Sequence, residues 1–224
     1  MGKAQQKQLH LYADLMEEMK VRFNCINHAA QGGTRLPPLI VREFLYQQLR
    51  FLCELIALSC LVAHGDIAEL KSHKIGRAYS ADEILDRMTA LRPHFYPVPV
   101  RETGMTMLSP GRNHINLKGA PSPLPKDDLV ALYRKTHKHL HRGSLKAILS
   151  ASTPVGIPDI NEIIAQAQKM SDLMAHHLIA ISERELIICL LINPQNKNKV
   201  QVLTAQRAEL DLQVNPSASP DEST

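Results

Sequence analysis

The hydrophobic pattern along the chain is helical for most of its length. Leu11, Leu15, Met19, Phe23 and Ile26 recur three and four residues apart, which predicts a helix over Leu9 to Ala30. Gly32-Gly33 supplies its stop. Pro38 suits the first turn of a second helix, which should run to Ala63 with Gly65 just beyond. The first half of this helix is amphipathic. The second is apolar nearly all round, so it should be the central buried element. Arg50 and Glu54 stand four apart on it and can pair. Ser80-Ala-Asp-Glu83 reads as a capping box opening a helix to about Leu91.

The pattern then breaks. Arg92 to Pro125 holds seven of the fourteen prolines, which excludes a helix over most of it. Two short strands, Met105 to Leu108 and His114 to Leu117, can flank the turn Ser109 to Asn113. Helical patterning resumes over Lys126 to Arg142, with Asp127 and Asp128 in the favourable first turn and Gly143 as stop. Ser144 to Leu149 reads as a short turn. Pro158-Asp159 opens a last helix to about Ile181, with Ile160, Ile163, Ile164, Ala167, Met170, Leu173, Met174 and Leu178 on its apolar face. Glu185 to Ile192 and Lys199 to Gln206 read as a hairpin around Asn193 to Asn198.

The expected architecture is therefore mainly α: a bundle of about five helices with a small C-terminal β-hairpin. One domain over 1–214 fits the length. It contains an irregular Pro-rich insert at 92–125 and the hairpin at 184–206. A Ser/Pro/acidic tail at 215–224 has the composition of a disordered segment.

Composition adds three constraints. Trp is absent and aromatics are only 4%, so Leu, Ile, Val, Ala and Met must build the core. Cys25, Cys53, Cys60 and Cys189 form no CxxC pair, and three lie in apolar runs, as buried free thiols do. No apolar signal core opens the chain, and Phe51 to Ala63 is short and charged for a bilayer span. A cytoplasmic, membrane-free protein is expected. The charge is concentrated: six Lys/Arg against two Asp in Lys126 to Lys146 equal the net +4 of the whole chain. Such a patch suits an anionic partner, and equally a solvated helix face.

The candidate chemistry lies in the same segment. At 100° per residue, Arg134, His137, Lys138 and His141 share one helix face, and His139 points elsewhere. Histidine exchanges protons near neutrality, and arginine clamps phosphate oxygens. Together they suit cleavage of an RNA phosphodiester, whose own 2′-hydroxyl is the attacking group. Arg134, His141, His139 and His137 are thus the catalytic candidates. Lys135, Lys138, Arg142 and Lys146 are the phosphate-binding candidates. His137 and His141 also have the spacing of two helical zinc ligands, but Lys138 stands where HExxH has its Glu, and only His176 or His177 offer themselves as a third ligand. No metal or cofactor is assigned. There is no GxxxxGK, no GxGxxG and no serine elbow.

Arg134-x4-His139 and Arg134-x6-His141, near a helix end closing on Gly143, resemble the signature of HEPN-superfamily ribonucleases. Arg42 to Gly65 resembles the long Arg/Glu-bearing helix that lies beside it in such proteins. The resemblance spans under a third of the chain. It implies an RNA-binding protein or a metal-independent endoribonuclease, with Arg134 clamping phosphate and His141 as acid or base. It also implies a homodimer and a toxin–antitoxin or defence setting. Lys135 departs from the polar residue usual after the Arg, and many HEPN proteins bind without cleaving. The alternative from the same residues is a non-catalytic helical module that recruits a protein partner through its basic helix or hairpin edge.

Overall fold

The structure is a computed structural model, and it describes residues 3–65, 78, 80–109, 112–140 and 160–207. Its elements, in chain order, are α1 (Lys3–Ala30), α2 (Pro38–Ala63), α3 (Ala81–Leu91), β1 (Val98–Ser109), β2 (Arg112–Gly119), α4 (Lys126–Leu140), α5 (Ile160–Met174), β3 (His176–Ala180), β4 (Glu185–Asn193) and β5 (Lys199–Gln206). The strands form one antiparallel sheet in the order β2-β1-β3-β4-β5.

The expectation of a helical bundle with a small hairpin is thereby corrected. The fold is α+β, and the hairpin β4–β5 is two-fifths of its sheet. Two segments account for the difference. The stretch read as the end of the last helix, 175–181, instead carries β3, whose residues alternate in burial. The Pro-rich stretch forms two full strands rather than two short ones. Pro97 and Pro99 fall at the start of β1, where a missing amide is tolerated.

α2 is the central element, as its pattern predicts. Leu45, Leu49, Leu52, Cys53, Ile56, Ala57 and Cys60 are all fully buried. α1, α3, α4 and α5 all pack on it. By length and composition alone α2 is apolar enough to cross a bilayer, but 61% of its apolar window is buried inside this fold. α1 ends as the Gly pair predicts. The Gly33 amide donates to the His28 carbonyl at 2.9 Å and the Gly32 amide to that of Ala29 at 3.2 Å. Gly32 takes φ +78°, where a side chain would be strained, and this is the Schellman arrangement.

α1 also guards the outer sheet edge. The Val200 amide of β5 donates to the Glu17 carboxylate at 2.8 Å, and Lys20 Nζ donates to the Asn198 carbonyl at 2.7 Å. The other edge is less covered. β1 pairs with β3 only at Val98 and Pro99, so most of the β1–β2 hairpin extends beyond the sheet. Ser80 occupies the N-cap position of α3, but its side chain makes no capping bond. Asp82 takes the Glu83 amide at 3.0 Å, and Glu83 turns to Arg87.

Three buried polar anchors join the layers. The Tyr12 hydroxyl of α1 lies 2.6 Å from His177 Nε2 on β3. His177 Nδ1 lies 2.9 Å from the Met174 carbonyl, so Nδ1 carries the proton and Tyr12 donates to Nε2. His64, at the end of α2, places Nδ1 2.8 Å from the Cys60 carbonyl and Nε2 3.0 Å from that of Ala180.

Candidate functional site

α4 begins with Asp127 and Asp128 in its first turn and buries Leu129, Val130, Leu132 and Tyr133. That burial seats it against α2 and fixes which polar groups meet across the seam. The two helices run antiparallel: Arg42 meets His139, while Glu54 meets Tyr133. On α2, the residues Arg42, Tyr46, Arg50 and Glu54 recur every four positions. They form a polar ladder along one side of the helix.

Arg50 is the hub. Its Nε donates to Glu54 Oε1 at 3.1 Å, and one Nη donates to the Tyr133 hydroxyl at 2.7 Å. The other Nη lies 3.3 Å from His137 Nδ1. The Tyr133 hydroxyl passes its own proton toward Glu54 Oε1 at 3.1 Å, which closes the ring of contacts. The guanidinium also lies 4.6 Å from the centre of the Tyr133 ring, in cation–π range. Burial, then the Glu54 charge, pushes the Tyr133 hydroxyl up to about 12. Tyr133 is therefore a hydrogen-bonding post at neutral pH and not a base.

A second arginine–histidine pair lies further along the seam. Arg42 Nη2 is 2.8 Å from His139 Nδ1. The His139 ring lies flat on Tyr46, centroids 4.0 Å apart and planes 9° apart. Arginine can only donate, so Nδ1 of His139 is an acceptor and the ring is neutral with its proton on Nε2. Burial, then the Arg42 and Lys135 charges, lowers the His139 pKa. The Arg42 Nε is buried with no hydrogen-bond partner among the described residues.

The sequence-predicted residues separate here. Arg134 is exposed and faces α3, with its Nε 3.6 Å from Asp82. His137 is exposed and faces α2. The expected grouping of Arg134 with His137 gives way to pairs formed across helices, because α4 packs on both α2 and α3 and its two flanks face different partners. His139 points away from Arg134, as helical geometry requires. Lys135 pairs with Glu162 of α5, and Lys138 is exposed. His141, Arg142 and Lys146 lie outside the described residues, as do the Ser144 to Leu149 turn and the 215–224 tail. Of the suggested third metal ligands, His177 is sealed in the core and bound to Tyr12. No group of three or more His, Cys, Asp or Glu is placed to hold a metal ion among the described residues.

Arg42 and Tyr46 were not among the site candidates, and Glu54 entered only as the pairing partner of Arg50; the four-residue ladder is the signal that joins them. Comparison with family models, with curated proteins and with solved structures finds no match.

Proposed function

We propose that the α2–α4 seam binds RNA through its phosphates and supports metal-independent cleavage of the strand. The observation that carries this reading is the Arg50–His137 pair, a phosphate clamp and a proton acceptor meeting at an exposed helix flank. Arg50 is preorganised by Glu54 and Tyr133. Its contact with His137 is the longest of the set, so it is the one a phosphate oxygen replaces most cheaply. Turning that Nη to phosphate frees His137 Nδ1.

The chemistry follows. His137 takes the 2′-hydroxyl proton, and the 2′-oxygen attacks phosphorus. The bond to the 5′-oxygen breaks, and a 2′,3′-cyclic phosphate remains. Arg50 stabilises the charge that develops on the phosphorane. His141, four residues on in the sequence, is the donor assigned to the leaving oxygen. The placement of the Arg/Glu-bearing α2 beside α4 is in line with the HEPN resemblance, as is the homodimer we include in this reading. The assay is cleavage of a mixed pool of labelled RNAs in EDTA. Wild type should yield cyclic-phosphate ends, and His137→Ala and Arg50→Ala should not. Equal cleavage by all three proteins would refute the assignment.

One observation favours the non-catalytic alternative. On the protruding β1–β2 hairpin, Met105, Met107 and Leu108 are 62%, 74% and 59% exposed. These exposed apolar side chains on a two-stranded arm are a fitting surface for a protein partner. Absence of cleavage, with co-purification of a partner lost on Met107→Glu, is the outcome that reading requires.

A further inference from the structure

The Tyr46–His139 stack joins α2 and α4 at the edge of the seam. Tyr46 is 3% exposed and forms the inner layer, while His139 is half-buried and forms the outer one. The rings are nearly parallel at 4.0 Å. Arg42 holds the His139 edge at 2.8 Å, so the ring cannot turn about its own axis without losing that bond. The same bond keeps it uncharged. The result is a flat, fixed, neutral aromatic ring with a rigid backing, next to a cation-rich seam. Lys135, paired with Glu162, stands beside it.

A duplex shows such a ring only its phosphates and groove edges. An unpaired base offers a π-face. Arg42 and Arg50 are eight residues apart on one helix, about 12 Å along its axis. A ligand that meets both must therefore be a chain rather than a mononucleotide. Resting on the phosphate-binding reading above, we infer that His139 is a stacking platform for one unpaired nucleobase and that the seam selects single-stranded RNA.

The test uses the full chain and three labelled 12-nucleotide probes of one length. These are a single-stranded RNA, the same strand in duplex, and a backbone-matched strand abasic throughout. Affinities are read by fluorescence anisotropy for wild type, His139→Ala, His139→Phe and Arg50→Ala, each checked for native circular dichroism. One base stacked on an aromatic ring contributes roughly tenfold in affinity. Wild type should therefore bind the single strand about tenfold more tightly than the abasic strand, and more tightly than the duplex. His139→Ala should erase the preference over the abasic strand. His139→Phe keeps a flat ring and should retain the preference. Arg50→Ala should weaken all three probes together. If wild type binds single-stranded and abasic probes equally while Arg50→Ala still weakens both, the platform is refuted and the phosphate site stands. If wild type binds none of the probes, both fall.

Discussion

Acid should unfold this protein through one histidine more than any other group in its core. His177 is fully buried, with Nδ1 donating to the Met174 carbonyl and Nε2 accepting from Tyr12. Burial holds its pKa down to about 4, against an ordinary 6.5. The folded pKa lies below the unfolded one, so the unfolded chain binds the proton first. Stability is full above pH 6.5 and declines as pH falls from there towards 4. Between pH 7.5 and pH 5, linkage with those two values amounts to about 2 kcal/mol. The perturbation is His177→Gln, which can still bond both neighbours but cannot titrate. His64, His139 and His176 are also held low, and they lose stability in the same window in both proteins, so their share cancels. Urea unfolding at both pH values gives the double difference. The variant should be less stable than wild type at pH 7.5, yet lose about 2 kcal/mol less on acidification. Parallel losses in the two proteins would refute the buried neutral assignment.

Other outcomes follow from the same packing. Leu52→Ala, at a fully buried position of α2, should cost about 2–5 kcal/mol in urea unfolding. Lys197 and Asn198 take positive φ in the β4–β5 turn, so Lys197→Gly should be neutral or raise stability by up to about 1 kcal/mol in the same assay. Cys53, Cys60 and Cys189 are buried free thiols held well above their ordinary pKa, Cys189 at about 12. A thiol reagent at pH 8 should label Cys25 first and the other three only on unfolding; prompt labelling of all four would contradict the core described here.

The fold was legible wherever one period dominated. α2, α3 and the β4–β5 hairpin stand where spacing and Gly/Pro punctuation place them, as does the end of α1, which begins at Lys3 rather than Leu9. The failures have physical causes. Leu178 continues the helical spacing of Met170 and Met174, yet His176 to Ala180 also alternates. Five residues satisfy both periods, and only the partner strand β4 decides between them. β1 was underestimated because its first half, from Val98, follows Pro97 and contains Pro99, while the protruding half was expected as Met105 to Leu108 and His114 to Leu117. The capping box was half right, since Ser80 takes the N-cap place while Asp82 makes the bond.

At the site, the residue types were legible and their pairing was not. His137 and His139 were among the expected candidates, and the arginines that the structure sets beside them come from α2, far away in sequence. Arg134 has the expected spacing within α4 but faces Asp82 of α3 rather than α2. A helix wheel orders residues around one axis. It does not say which neighbour lies at each azimuth.

Which arginine meets the ligand decides between the two faces of α4. Affinity for single-stranded RNA should be measured across a salt series for wild type, Arg50→Ala and Arg134→Ala. Each phosphate contact on a single strand contributes about 0.7 to the slope of log affinity against log salt. The seam assignment predicts that Arg50→Ala lowers that slope by about one contact, while Arg134→Ala, paired with Asp82 on the α3 side, leaves it near the wild-type value. A slope that falls for Arg134→Ala and holds for Arg50→Ala would contradict it.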